Sequence, residues 1–222
     1  MRPSLVIFDC DGVLVDTEPM SNALMAEVLQ AEGMQIDAAG SMARFVGKSM
    51  KSVQKEVETE LGRPLGADWA ERFHEQTITV FRERGVAAIP GVRHAIAAID
   101  AAGIPICVAS SGSIEKMHAS LGASGLLDQL RDVLFTADRV ARGKPAPDLF
   151  LHAASEMGHP PAACVVIEDS RFGVEAAVAA GMRALAFVAA PNARAADMAA
   201  LGGVLFDDMA QLPGLLGLEV SP

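Results

Sequence analysis

An α/β fold, a parallel-sheet core carrying an α-helical insert, is what this sequence predicts, on three observations. Short apolar runs recur along the chain without alternating polar residues, which is the pattern of strands buried on both faces. Apolar residues at helical spacing separate most of these runs, giving the strand–helix–strand rhythm of a parallel sheet. One stretch, from about Thr17 to Arg84, breaks that rhythm, because helical patterns follow one another there with no buried strand between them.

Taken in order, the predicted strands are Leu5 to Phe8, Ile104 to Ala109, Val133 to Phe135, Cys164 to Ile167 and Ala184 to Val188. Within the insert the helices are expected near Met20 to Glu32, Met50 to Leu61 and Trp69 to Arg84, with Trp69 and the methionines packing inside it. The chain rejoins the core near Ile89-Pro90-Gly91, where Pro and Gly mark a boundary. That gives a core domain of residues 1–16 and 87–222 and a helical domain of residues 17–86. Val92, Ala95, Ile96 and Ile99 then form an i, i+3, i+4, i+7 stripe closed by Gly103. Ser113 reads as the N-cap of a helix that ends near Gly122. Ser170 begins another, through Val174, Ala177 and Val178 to a stop at Gly181.

The 222 residues, 51% hydrophobic and 21% charged, suffice for a buried core and exclude a disordered chain. A net charge of -10 repels nucleic acid and anionic membrane surfaces, so any anionic substrate needs a local positive partner. Mean hydropathy is +0.30, yet no apolar run approaches the roughly 20 residues of a membrane span. Met1-Arg2-Pro3-Ser4 leads straight into the first strand without the pattern of a signal peptide, so a cytoplasmic monomer is expected. Cys10, Cys107 and Cys164, odd in number and widely spaced, read as reduced thiols in strands. The five histidines lie outside every motif below.

Four motifs carry chemistry. In Phe8-Asp9-Cys10-Asp11-Gly12 an apolar strand ends in two carboxylates and a glycine that lets the backbone turn. Acids at the carboxyl end of a parallel strand sit where open α/β sheets bind ligands, and two so close require a shared proton or a hard cation, Mg²⁺ first. Ile167-Glu168-Asp169-Ser170 repeats that logic. If the two strands are neighbours, Asp9, Asp11, Glu168 and Asp169 converge on one spot; otherwise Asp169-Ser170 merely caps a helix and Glu168 is solvated. Ala109-Ser110-Ser111-Gly112 offers hydroxyl and backbone N–H donors to an anion, or is simple turn and cap chemistry. Gly143-Lys144-Pro145-Ala146-Pro147-Asp148 holds one lysine in a stiff loop, as a fixed point charge for phosphate or as a solvated surface charge.

In this order and spacing the four motifs resemble the haloacid dehalogenase (HAD) superfamily, in its phosphatase branch with a helical cap. The nearest group holds β-phosphoglucomutase, phosphoglycolate phosphatase and 6-phosphogluconate phosphatase. The resemblance implies a Rossmann-like core and a Mg²⁺-dependent phosphatase acting on a small phosphate monoester, such as a sugar phosphate, a phosphosugar acid or phosphoglycolate. It makes Asp9 the nucleophile that forms an aspartyl-phosphate and Asp11 the general acid and then base. Mg²⁺ would be held by Asp9, the backbone carbonyl of Asp11 and Asp169, with Glu168 a ligand or a partner behind one. Ser110, the N–H of Ser111 and Lys144 would bind the phosphoryl group. The loop carrying Arg44, Lys48 and Lys51 would meet the leaving group, unless it is only a solvated helix start.

Two alternatives are weighed. The mutase of this group carries a histidine and an arginine where Ser21 and Met50 stand here, which favours hydrolysis, although Lys48 or Lys51 could replace the arginine. A phosphoacceptor signalling domain places its acidic pair and its phosphorylated aspartate on different strands and has no helical insert, whereas Asp9 and Asp11 share one strand.

Overall fold

The computed structural model describes residues 2–46, 48–190 and 193–218. The chain enters through β1 (Leu5–Phe8), fully buried, with Val6 and Phe8 facing one apolar layer and Leu5 and Ile7 the other. Residues 10–15 then fold into one compact turn, in which the Gly12 N–H donates to the Val15 carbonyl at 2.8 Å and the Leu14 N–H to Cys10 at 2.9 Å. Gly12 sits at φ +82°, a left-handed conformation that a side chain would strain. From β2 (Val15–Asp16) follow α1 (Glu18–Ala31), α2 (Ala38–Phe45), α3 (Met50–Leu61) and α4 (Trp69–Arg84). The chain returns through β3 (Ala87–Ala88), antiparallel to β2. These helices have an apolar cluster of their own, including Leu29, Phe45, Val53, Val57, Trp69 and Phe73. Each large side chain so buried contributes roughly 1.5–3 kcal/mol.

Beyond this segment the chain alternates through α5 (Val92–Ala101), β4 (Ile106–Ser110), α6 (Ile114–Ala123), α7 (Leu127–Leu130), β5 (Leu134–Thr136), α8 (Asp148–Glu156) and β6 (Cys164–Glu168). It ends with α9 (Arg171–Ala179), β7 (Arg183–Phe187), α10 (Ala195–Ala200), β8 (Val204–Phe206) and α11 (Leu212–Leu215). The six-stranded sheet has the order β5-β4-β1-β6-β7-β8, with every pairing parallel. The chain therefore runs outward from β1 to β5 on one side, crosses back to β6, and runs outward to β8 on the other. At that reversal the carboxyl ends of β1, β4 and β6 open a crevice, the place where such sheets bind ligands.

The Rossmann-like parallel core and its helical insertion are as the sequence predicts, with three differences. Helix α2 was not anticipated: it is short and has a glycine inside, and its stability comes from the Asp37 cap on the Gly40 N–H and from burial of Phe45. The edge strand β8 was also missed, since three residues, two of them exposed and only Phe206 buried, carry no clear periodicity. Cys10 lies in the turn after β1 rather than in a strand; all three cysteines are buried and unpaired. Among the described residues no helix is long and apolar enough to cross a membrane.

Candidate active site

One ammonium group joins the three strand ends. Lys144 Nζ donates to Asp9 Oδ1, just past β1, to the Ala109 carbonyl of β4 at 3.1 Å, and to Glu168 Oε1 of β6 at 2.6 Å. Three protons thus meet three acceptors, each from a different strand. The side chain is only 5% exposed and lies over the Phe150 ring at 4.9 Å. Its loop is braced by the Arg142–Asp148 ion pair at 2.8 Å and by an Ala146 N–H bond to Gly143 at 3.0 Å.

The acids are seated by neighbouring glycines. Glu168, 1% exposed, also accepts from the Ser170 N–H and hydroxyl, both at 2.8 Å, while the Ser170 hydroxyl caps α9 at Gly173. Glu168 is therefore an anchored internal carboxylate rather than a solvated one. A Cβ on Gly173 would fall 1.8 Å from Glu168 Oε1, and one on Gly12 would fall 2.0 Å from Asp169 Oδ2. Neither glycine can grow without displacing the acid beside it.

The charge balance at this junction is negative. Burial pushes the Asp9 carboxyl up to about 7, against the pull of Lys144, and the charges of Glu168 and Asp11 push the same way. Asp169 is also raised, first by burial and then by Glu168 and Asp9. Lys144 is held above its ordinary range, because Asp9 and Glu168 outweigh the burial that would lower it. Two buried carboxylates with raised proton affinity are a setting that a hard divalent cation would relieve.

Among the described residues, however, no three side chains of metal-binding type form a ready cluster. Of the four acids, Asp9 and Glu168 both accept from Lys144, and Asp11 accepts from Lys116 and Thr17.

Asp11 occupies a different setting from Asp9. Its Oδ2 accepts from Lys116 Nζ at 2.8 Å, and its Oδ1 accepts from the Thr17 hydroxyl at 2.7 Å. Ser110, buried at the end of β4, accepts from the Gly112 N–H at 3.0 Å, and Ser111 is exposed on the turn that follows. Lys116 and Thr17 were missed in the sequence. The available signal was a lysine in the first turn of a helix, where the helix dipole disfavours positive charge.

The three cationic residues around the α2–α3 connection, Arg44 in α2, Lys48 between the helices and Lys51 in α3, are not placed alike. Arg44 is tied to Glu56 and Glu60 and lines a separate cavity with Gln30, Met34 and Asp37. Lys51 is exposed on α3. Lys48, though paired with Glu56 at 2.6 Å, lines a cavity of about 680 Å³ with Met42, Asp169, Arg171 and Arg194. A second cavity, of about 300 Å³, lies beside it and is walled by Gly12, Asp16, Glu18, Met42 and Asp169. Both reach Asp169 and lie between the helical segment and the sheet.

A model of haloacid dehalogenase-like hydrolases matches residues 3–181. The chain is 32% identical over 191 residues to 6-phosphogluconate phosphatase of Escherichia coli, covering 86% of this chain and 85% of that protein. It is likewise 32% identical over 187 residues to hexitol phosphatase A of the same organism, covering 84% and 83%. A HAD family hydrolase from Deinococcus radiodurans, solved with bound phosphate and sodium, superposes with a TM-score of 0.80 at 29% identity, over 97% of this chain and 96% of that one. With its motifs on one strand junction and these relatives along most of its length, the chain belongs to the haloacid dehalogenase-like hydrolases, as an enzyme among the phosphatases of that family.

Proposed function

We propose that the protein hydrolyses a small phosphate monoester in two displacements at Asp9. The observation that carries this reading is the Lys144 ammonium bonded at once to Asp9, the β4 end and Glu168. It fixes the nucleophile's carboxylate and places positive charge where a phosphoryl group would meet it. Asp9 attacks phosphorus and expels the alkoxide; water then releases phosphate from the aspartyl-phosphate. Asp11, held apart from that ammonium by Lys116 and Thr17, gives a proton to the leaving oxygen and afterwards takes one from water. The Ser110 hydroxyl and the Ser111 N–H, on the turn after β4, bind phosphoryl oxygens.

Mg²⁺ fits the over-negative pocket, held by Asp9, the Asp11 carbonyl and Asp169. When bound it neutralises repulsion between an anionic nucleophile and an anionic phosphate. Glu168 supports Lys144 rather than the ion. In this reading residues 17–86 form a cap domain over a core of residues 1–16 and 87–222, with the β2–β3 pair as its stem. The larger cavity, with Lys48, Arg171 and Arg194 on its walls, receives the rest of a sugar phosphate or phosphosugar acid.

The test is inorganic phosphate release from a panel of sugar phosphates, phosphosugar acids and phosphoglycolate, with Mg²⁺ and after chelation. Turnover of at least one ester that stops on chelation is expected. No release from any ester with any divalent ion would overturn the reading.

A further inference from the structure

The reading above gives Asp11 a proton to move but leaves open what holds it in place. Its two carboxylate oxygens are bound from opposite sides. Thr17, the residue before α1, holds Oδ1 at 2.7 Å, and Lys116, in the first turn of α6, holds Oδ2 at 2.8 Å. Lys116 stands where a lysine is unfavourable by about 0.3–1 kcal/mol, at the positive end of a helix. Its side chain is 22% exposed, so it is not there to reach water. It runs back over the Ser110–Gly112 turn, where a Cβ on Gly112 would lie 3.5 Å from Lys116 Cδ and 3.8 Å from Asp11 Oδ2.

The same first turn is fixed twice more. Ser113 caps α6 by accepting from the Lys116 N–H at 3.2 Å, and its hydroxyl lies 3.2 Å from His74 Nε2 on α4. The backbone that carries Lys116 is thereby tied to the helical segment as well as to β4.

We propose that Lys116 is a positioning residue for Asp11, fixing the rotation of its carboxyl group at the distance and angle that the leaving oxygen requires. The proposal rests on the assignment of Asp11 as proton donor. A carboxyl group free to turn would spend little time aligned, and a misplacement of about 1 Å can cost on the order of 10² in rate. In the first displacement the loss falls on esters that need the proton; the later attack of water, which also uses Asp11, is the same for every ester. An alkyl phosphate must protonate its alkoxide as it leaves, whereas p-nitrophenyl phosphate expels a stable phenolate without help.

The experiment compares kcat and KM for a sugar phosphate and for p-nitrophenyl phosphate in wild type, Lys116→Met, Lys116→Arg and Asp11→Asn, each checked by thermal unfolding. Lys116→Met should lower kcat/KM on the sugar phosphate, which reads only the steps up to release of the alcohol, by about 10²-fold. On p-nitrophenyl phosphate it should lower kcat/KM by less than about fivefold, whereas kcat, which includes the water step common to both esters, can fall on either; Lys116→Arg should recover part of the loss. Equal losses on both esters, or no loss on either, would overturn the proposal when Asp11→Asn does discriminate between them. If Asp11→Asn itself fails to discriminate, the assignment of Asp11 as proton donor falls instead. Should Lys116→Met be unfolded, Lys116→Arg decides alone: folded but with the selective loss, it supports the proposal; folded with equal losses, it contradicts it.

Discussion

The two aspartates of one short segment live in contrasting surroundings. Asp9 is 10% exposed in its side chain and bonded to a lysine that is 5% exposed; Asp11 is 29% exposed and bonded to one that is 22% exposed. The Asp9 site is built where three strand ends meet one loop, with two carboxylates and a backbone carbonyl around one ammonium. The Asp11 site is shared between the sheet and the start of the helical segment. Two residues of the same type, two positions apart, thus sit in a dry, crowded setting and a wetter one, which on the proposed reading suit a nucleophile and a proton carrier. Placing unlike environments on like residues is how one site assigns them different roles.

The largest effect that would break this contrast is on turnover. Asp9→Asn should lower kcat on the order of 10⁴-fold or more with the fold retained, measured by phosphate release and circular dichroism. A variant within tenfold of wild type would remove Asp9 as nucleophile.

Stability separates the two lysines next. Lys144→Met leaves Asp9 and Glu168 buried without their partner and should cost about 3–5 kcal/mol in denaturant unfolding. Lys116→Met, at a more exposed pair, should cost clearly less. Equal costs would mean that the two settings do not differ as the burial indicates.

Metal removal and pH sharpen the comparison further. In the folded protein Asp9 keeps its proton up to about 7, whereas the unfolded chain loses it near 3.8. The folded state therefore binds more protons between those values, and stability of the metal-free protein should fall as pH rises through that window, with Asp9 alone contributing up to about 1.4 kcal/mol per unit and Asp169 acting in the same sense. Partly exposed acids with lowered proton affinity, such as Glu56 and Asp148, act in the opposite sense but only toward the acid end of the window. Added Mg²⁺ should flatten the slope above about pH 5. A slope unchanged by Mg²⁺ would contradict a metal at Asp9 and Asp169.

Smaller effects follow from the packing. Gly173→Ala should push Glu168 off Lys144 and cost about 1–3 kcal/mol. Arg44→Gln, at exposed pairs in the helical segment, should cost less than about 1 kcal/mol. An Arg44 variant less stable than the Gly173 one would mean that the helical segment, rather than the strand junction, limits the fold.

Sequence patterns made the sheet legible because β1, β4 and β6 are buried on both faces and so read as unbroken apolar runs. The carboxylates and Lys144 stood out because charges at strand ends and in proline-stiffened loops are costly unless used. What the pattern could not show was orientation. Glu168 and Asp11 look like further metal ligands in the sequence, yet each side chain turns to a lysine, and Arg44 looks substrate-facing but pairs within its own segment. Lys116 escaped notice because it lies three residues beyond Ser113, inside a helix, where a lysine ordinarily reads as surface.

The most direct test is to quench the enzyme in acid during turnover of a phosphate monoester, digest it and locate the phosphoryl group by mass spectrometry. The account predicts a phosphorylated peptide modified at Asp9, lost in Asp9→Asn. Phosphate release with no modified peptide, or with the group on another residue, would contradict it.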